Sequence, residues 1–370
     1  MKQVIFLCQT PYHLLVSASY CRQITDCSIK KVLVFDNNSF YKIDPKTVCP
    51  YYDEYILIPG NQREQGFFQR QLFKLLYEGH LWKMTPLKRV IQNDVQENIL
   101  VCFNDCNKIF DRIADVISMG THQIIMVEEG AGSYCITELS SRKAGLGSRI
   151  WNRYCLGSKD YPARYLGDDR RIDTFIMKEP EKFPAEKLRD RKLIKQEMVD
   201  YSVFDSVIEQ ALGEHIDQFM TRGKWILYVG DEFDDDINMP ESVENIYLEK
   251  LFTFLSNLGY GIVIKPHPRE PETKYRLFCA DNILDLGGTS IAWIPMECLA
   301  DRWRPKIVLS PCSSALNEFV SKEYSQSIVF VYRLFPKVDN IEDAYFERLS
   351  DEHKKVSVVN DYNELKLLLG

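Results

Sequence analysis

Short apolar runs recur along the first third of the chain: VIFLC (4–8), KVLVF (31–35), NILVCF (98–103) and QIIMV (123–127). Their hydrophobicity is continuous rather than alternating, which is the pattern of strands covered on both faces. Amphipathic stretches of helical length stand between several of them, at 66–79 and 106–117. Strand–helix alternation of this kind predicts a parallel sheet. From about residue 160 the pattern loosens into charged, helix-prone text, EPEKFPAEKLRDRKLIKQEM. A second series then starts with KWILYVGD (224–231) and continues through GIVIKPHP (261–268), PKIVLS (305–310) and QSIVFVY (326–332). The expectation is an α/β fold of two Rossmann-like domains facing a central cleft. The first covers 1–175, a helical linker covers 176–222, and the second covers 223–370. Open sheets take ligands beyond the carboxyl ends of their strands, so chemistry is expected where motifs follow strands.

The length of 370 residues suits two cores of ordinary size, and 45% hydrophobic with 27% charged residues is the balance of a soluble globular chain. A net charge of −7 gives no basic field, which argues against nucleic acid as the main partner. Eleven cysteines are scattered without CxxC pairs, the usage of reduced thiols rather than a disulfide or zinc framework. The opening MKQVIFLCQTPYHLL is interrupted by Gln9, Pro11 and His13 before it could serve as a signal segment, and it reads as a first strand. No apolar run approaches the roughly 18 residues of a membrane span. A cytoplasmic protein is expected, with peripheral association at the inner face of the plasma membrane as a further expectation.

Four places carry chemistry. After QIIMV, the residues Glu128, Glu129 and Gly130 put two carboxylates and a flexible turn at a strand end, where a general base is expected. In IVIKPHPREP (262–271), prolines restrict both Lys265 and His267 to extended geometry, so the imidazole is aimed. LSPCSSALNEF puts Ser313 and Ser314 between a strand and an amphipathic stretch, a seat for an anion at a helix start. AWIPMECL carries Glu297 between these two motifs. The acidic DEFDDD (231–236) supplies the rival carboxylates Asp231 and Asp235. Each motif also has a plain reading: a charged strand end, a solvated histidine, a serine that only caps, an acidic loop. Their order along the chain is what carries weight.

That ordered set, an acidic pair with glycine, then KxHP, then a glutamate, then Ser-Ser, resembles the bacterial sialyltransferases. The likeness is strongest to glycosyltransferase family 52, which is related to the family 38 polysialyltransferases, and QTPYHLL (9–15) is similar to the QTP-type start of that group. The resemblance implies a GT-B type glycosyltransferase performing inverting, metal-independent transfer from CMP-sialic acid to a hydroxyl of a cell-surface glycan, in capsule or lipooligosaccharide. It implies Glu129 as base, His267 as general acid, Lys265 beside the phosphate, Ser313 and Ser314 as donor-phosphate ligands and Glu297 on the cytidine ribose. No cofactor beyond the donor substrate is implied. The chain departs from the family in having Glu-Glu rather than an aspartate pair, and Asp231 or Asp235 remains the alternative base. A different nucleotide-sugar transferase or epimerase, or a glycan-binding protein without turnover, are the competing readings. The acceptor is expected to meet arginine- and aromatic-bearing stretches at 61–76 and 140–154, which would also serve a membrane-held acceptor. The oligomeric state stays open, a dimer included.

Overall fold

The computed structural model describes residues 2–36, 49–58, 69, 72–78, 84–88, 97–134, 136, 165–211, 219–221, 223–231, 239–267, 270–289, 291–320, 322–336 and 343–370. The stretch 140–154, most of 61–76, and Asp235 lie outside them. The chain divides into two compact units, Met1–Val203 and Phe204–Gly370.

Seven strands form the sheet of the first unit: β1 (Lys2–Cys8), β2 (Ile29–Asp36), β3 (Glu54–Ile58), β4 (Glu97–Cys102), β5 (Thr121–Val127), β6 (Thr174–Met177) and β7 (Lys192–Lys195). Their order is β3-β2-β1-β4-β5-β6-β7 with every pairing parallel. The second unit repeats the plan with β8 (Trp225–Val229), β9 (Gly261–Lys265), β10 (Ile283–Asp285), β11 (Ile307–Ser310), β12 (Ser327–Phe330) and β13 (Val356–Val358), in the order β10-β9-β8-β11-β12-β13. Both sheets are parallel α/β layers of Rossmann type, as expected. In each, the direction of winding reverses between two central strands, β1 and β4 in one and β8 and β11 in the other. Ligands of such folds bind outside the carboxyl ends of the strands at that reversal.

Helical spacing builds the cores. Ile109, Phe110, Ile113 and Ile117 recur on one face of the helix Lys108–Ile117 and pack on Ile5, Leu7, Leu100 and Met126. Leu248, Leu251, Phe252 and Leu255 of the helix Glu241–Asn257 do the same over Ile226, Tyr228 and Ile264. Truncating any one of these large side chains to alanine costs about 2–5 kcal/mol. Cys8 and Cys102 are buried free thiols inside central strands.

The expected boundary at 175 and the helical linker over 176–222 need correction. Thr174–Met177 and Lys192–Lys195 are strands of the first sheet, and the first unit runs to Val203. The helix that the charged text suggests is a single turn, Ala185–Leu188, stopped by Arg189 at φ 48°. The chain then returns as β7, an edge strand whose lysines face water. The stretch expected as a helix at 106–117 begins at Lys108 with Asn107 as its cap, while within 66–79 the described residues include a helical turn at Lys74–Glu78.

Candidate active site

In the first unit the candidate side chains gather at the ends of β1, β2, β4 and β5. Thr10 caps the helix Pro11–Gln23, its Oγ1 accepting from the His13 N–H at 3.2 Å, with Pro11 at the first helical position. This places His13 in the first turn, buried and stacked on Phe103 with ring centroids 4.2 Å apart. The Gln9 N–H donates to His13 Nδ1 at 3.1 Å, so the proton of the neutral ring sits on Nε2. Nε2 in turn stands 3.3 Å from Glu129 Oε1, off the axis of an aligned hydrogen bond.

Glu129 is held from three sides. Asn104 Nδ2 donates to its Oε2 at 3.1 Å, and its own N–H donates to Ser133 Oγ at 3.0 Å. Gly130 turns the chain at φ 128°, a conformation that disfavours any side chain. The carboxylate remains partly exposed, at 26%. Its neighbour is placed differently, because successive side chains of an extended segment point to opposite sides. Glu128 is buried, accepting from the Tyr134 hydroxyl and from the Lys178 N–H at 2.7 Å, which ties it to the end of β6. The acidic pair is therefore one structural and one presented carboxylate. Beside them Asp36, at the end of β2, is buried and accepts from Gln9 Nε2 at 3.2 Å and Asn107 Nδ2 at 3.1 Å. Burial raises its pKa against those two bonds.

In the second unit His267 follows β9, half-buried. Its backbone N–H donates to Glu270 Oε2 at 2.6 Å. The other oxygen of Glu270 accepts from Lys274 Nζ at 2.6 Å and from the Tyr275 hydroxyl at 2.9 Å, and Lys274 also bonds Glu244 Oε1 at 2.6 Å. All of these side chains are buried. Burial pushes Glu270 up to about 7 despite Lys274. Burial works against charge on Lys274 as well, but the two carboxylates outweigh it and hold its pKa above the ordinary value. Gly230, at the end of β8, closes this arrangement: a Cβ there would stand 2.4 Å from Glu270 Oε2 and 3.1 Å from the His267 nitrogen.

Lys265, expected beside a phosphate, turns its ammonium to loop carbonyls. Its ammonium, 2% exposed as a residue, donates to Ala292 O at 2.5 Å and Pro266 O at 3.3 Å. Burial lowers its pKa to about 8, with Glu297 and Glu270 opposing. Lysine at a strand end is thus spent on loop carbonyls. Glu297 lies in the first turn of the helix Met296–Trp303, half-buried, its charge felt by Lys265. The expected helix after the serine pair is a 3-10 turn, Ser314–Leu316, followed by the short helix Asn317–Val320, so few peptide dipoles align there. Ser313 does act as a local cap, its Oγ accepting from the Ala315 N–H at 3.4 Å. At the reversal point Cys312 Sγ donates to Asp231 Oδ2 at 3.2 Å, joining the ends of β8 and β11.

Sequence reading passed over His13, Asn104, Asp36, Gly230 and Glu270. Thr-Pro followed by histidine three residues after the threonine could have signalled a capped first turn, and the spacing His267, Glu270, Lys274 could have signalled a local bonded chain. Among the described residues no helix is long and apolar enough to cross a membrane, and no group of three or more His, Cys, Asp or Glu is arranged to hold a metal ion.

The family model described as Alpha-2,8-polysialyltransferase (POLYST) matches residues 4–333. Comparison of the sequence with curated proteins finds no match. Among solved structures, an alpha/beta-galactoside alpha-2,3-sialyltransferase from Photobacterium phosphoreum is similar at a TM-score of 0.56 and 13% identity, over 98% of this chain and 100% of that one. A sialyltransferase from Photobacterium damsela is similar at 0.50 and 11%, over 97% and 81%. The UDP-GlcNAc 2-epimerase of Methanocaldococcus jannaschii, in complex with UDP-GlcNAc and UDP, is similar at 0.55 and 14%, over 100% and 91%. These likenesses concern the fold.

Proposed function

The chain belongs to the alpha-2,8-polysialyltransferase family, and from that premise we propose that it transfers sialic acid from CMP-sialic acid to a glycan hydroxyl, with inversion and without a metal. The observation that carries the reading is the separation of the acidic pair. Glu128 is consumed by the Tyr134 hydroxyl and the Lys178 N–H just past β6, while Glu129 is presented by His13, Asn104 and Ser133 at the end of β5, next to the winding reversal. A base needs that combination of fixed position and open access.

Glu129 takes the proton of the acceptor hydroxyl as its oxygen bonds the anomeric carbon. The bond from that carbon to the phosphate oxygen breaks, and His267 gives a proton to the departing CMP. A tertiary anomeric centre suits an oxocarbenium-like transition state, so charge arriving on the phosphate is what needs stabilising. Ser313, whose Oγ already accepts from Ala315, has its hydroxyl proton to offer that phosphate, and Ser314 is assigned with it. Lys265 is assigned to shaping the loop through Ala292 O rather than to the phosphate. Glu297 accepts from the ribose hydroxyls. The acceptor is a cell-surface glycan of capsule or lipooligosaccharide, reached from the cytoplasmic face of a membrane.

The likeness to UDP-GlcNAc 2-epimerases supports a second reading, a UDP-sugar enzyme on the same fold. Calorimetry with CMP against UDP separates the two. CMP release from CMP-N-acetylneuraminic acid, measured with galactose- and sialic-acid-terminated acceptors, tests the first directly; tight UDP binding with no CMP release would replace it with the second.

A further inference from the structure

Two prolines restrain the backbone around His267, but they offer no hydrogen bond to hold it in place. Three other facts converge on one atom. Glu270 Oε2 accepts the His267 N–H at 2.6 Å, Gly230 has no space for a Cβ because that same oxygen would lie 2.4 Å away, and the Glu270 side chain is only 2% exposed. The far side of Glu270 is fixed by Lys274 and Tyr275, and Lys274 by Glu244 from the helix Glu241–Asn257. We propose that Glu270 is the positioning residue for His267, transmitting the rigidity of the second core to the histidine backbone. The proposal rests on the reading of His267 as the proton donor to the leaving phosphate.

Glu244 supplies the control. Two carboxylates share one ammonium, so replacing either with methionine leaves a one-to-one pair in the same interior; Glu270→Met also removes the acceptor of the Tyr275 hydroxyl and the His267 N–H, so thermal melting of both variants accompanies the kinetics. Of the two carboxylates, it is Glu270 that accepts the His267 N–H. Glu270→Met is therefore expected to lower kcat by about 10²-fold, the scale of a misplacement near 1 Å, with KM for the donor changed less than about twofold. Glu244→Met should keep kcat within about twofold, and Glu270→Gln, which retains an acceptor oxygen, should fall between. Combined with His267→Ala, Glu270→Met should add nothing, since one residue acts through the other. Amide exchange at His267 is the readout independent of turnover: protected in the parent and in Glu244→Met, fast in Glu270→Met. Equal kcat losses in the two methionine variants, additive losses with His267→Ala, or unchanged exchange at His267 would each overturn the proposal. A parent that releases no CMP would overturn the transfer reading, while the exchange measurement still decides whether Glu270 holds the histidine.

Discussion

The two groups assigned to proton transfer are held by opposite means. Glu129 is steered through its side chain by the neutral amide of Asn104 and stands beside the edge of a buried His13, with part of its surface open. His267 is steered through its backbone by a buried carboxylate that belongs to a chain of charges. The difference follows from what each must do. A carboxylate that collects a proton needs donors that favour its anion yet leave room for an acceptor hydroxyl. An imidazole that gives up a proton needs its protonated nitrogen aimed at the acceptor, and a grip on the main chain sets that aim from behind. Buried charges cost several kcal/mol per ion to desolvate, so a buried ion has to keep at least one partner of opposite charge. Neutral donors carry a smaller penalty and tolerate more exposure.

The largest expected effects come from removing the two groups themselves. Glu129→Gln and His267→Ala should each lower turnover by roughly 10²–10⁴-fold, the usual contribution of a positioned acid or base. A donor with a better leaving group should restore much of the His267→Ala loss and little of the Glu129→Gln loss. Full activity in Glu129→Gln together with a dead Asp231→Asn or Asp235→Asn enzyme would move the base into the second unit. Turnover abolished by EDTA and restored by magnesium or manganese would break the metal-free scheme.

Donor binding sharpens the contrast next. Glu297→Ala should weaken CMP binding by roughly 1.5–3 kcal/mol, the worth of hydrogen bonds to a charged group, whereas Glu129→Gln should leave CMP affinity unchanged. Unchanged affinity in Glu297→Ala would remove it from the nucleotide site.

A smaller effect is expected at His13. His13→Leu removes the ring edge that stands 3.3 Å from Glu129 Oε1, so kcat should fall by about tenfold with the donor KM changed less. His13→Gln, which restores a polar end, should recover part of that loss. Full activity in His13→Leu would make His13 a packing residue.

The smallest effect is a pH dependence of stability. Glu270 has a native pKa raised by burial to about 7, so the folded protein keeps a proton that the unfolded chain releases. Its contribution is fully present below the ordinary carboxylate range and is lost as pH rises through about 7. Denaturation of the parent and of Glu270→Met across this window should show the parent losing ground as pH rises; a constant difference would refute the assignment.

Strands of the central sheets were legible because burial on both faces makes them continuous apolar runs, as in VIFLC and QIIMV. Edge strands were not: β7 is KLIK, mostly exposed, and β10 and β13 have three residues each. Such strands take their conformation from the neighbour they pair with, and their own side chains need only tolerate it. The candidate site was legible where a motif is local, as in EEG and KPHP. It was hidden where the partner comes from another strand end, as Asp36 and Asn107 do, 71 positions apart.

The sequence by itself determined two α/β units, their parallel central strands and the strand-end positions of Glu129, His267 and Ser313, because periodicity and backbone restriction act over a few residues. Tertiary structure alone decided which member of the acidic pair is presented, that Lys265 turns inward to Ala292, and that Glu270 grips the histidine backbone. Those outcomes depend on which donors and acceptors meet once side chains leave water. A buried polar group must find its partner among whatever the packing brings within about 3 Å, and the order of residues along the chain does not list those neighbours.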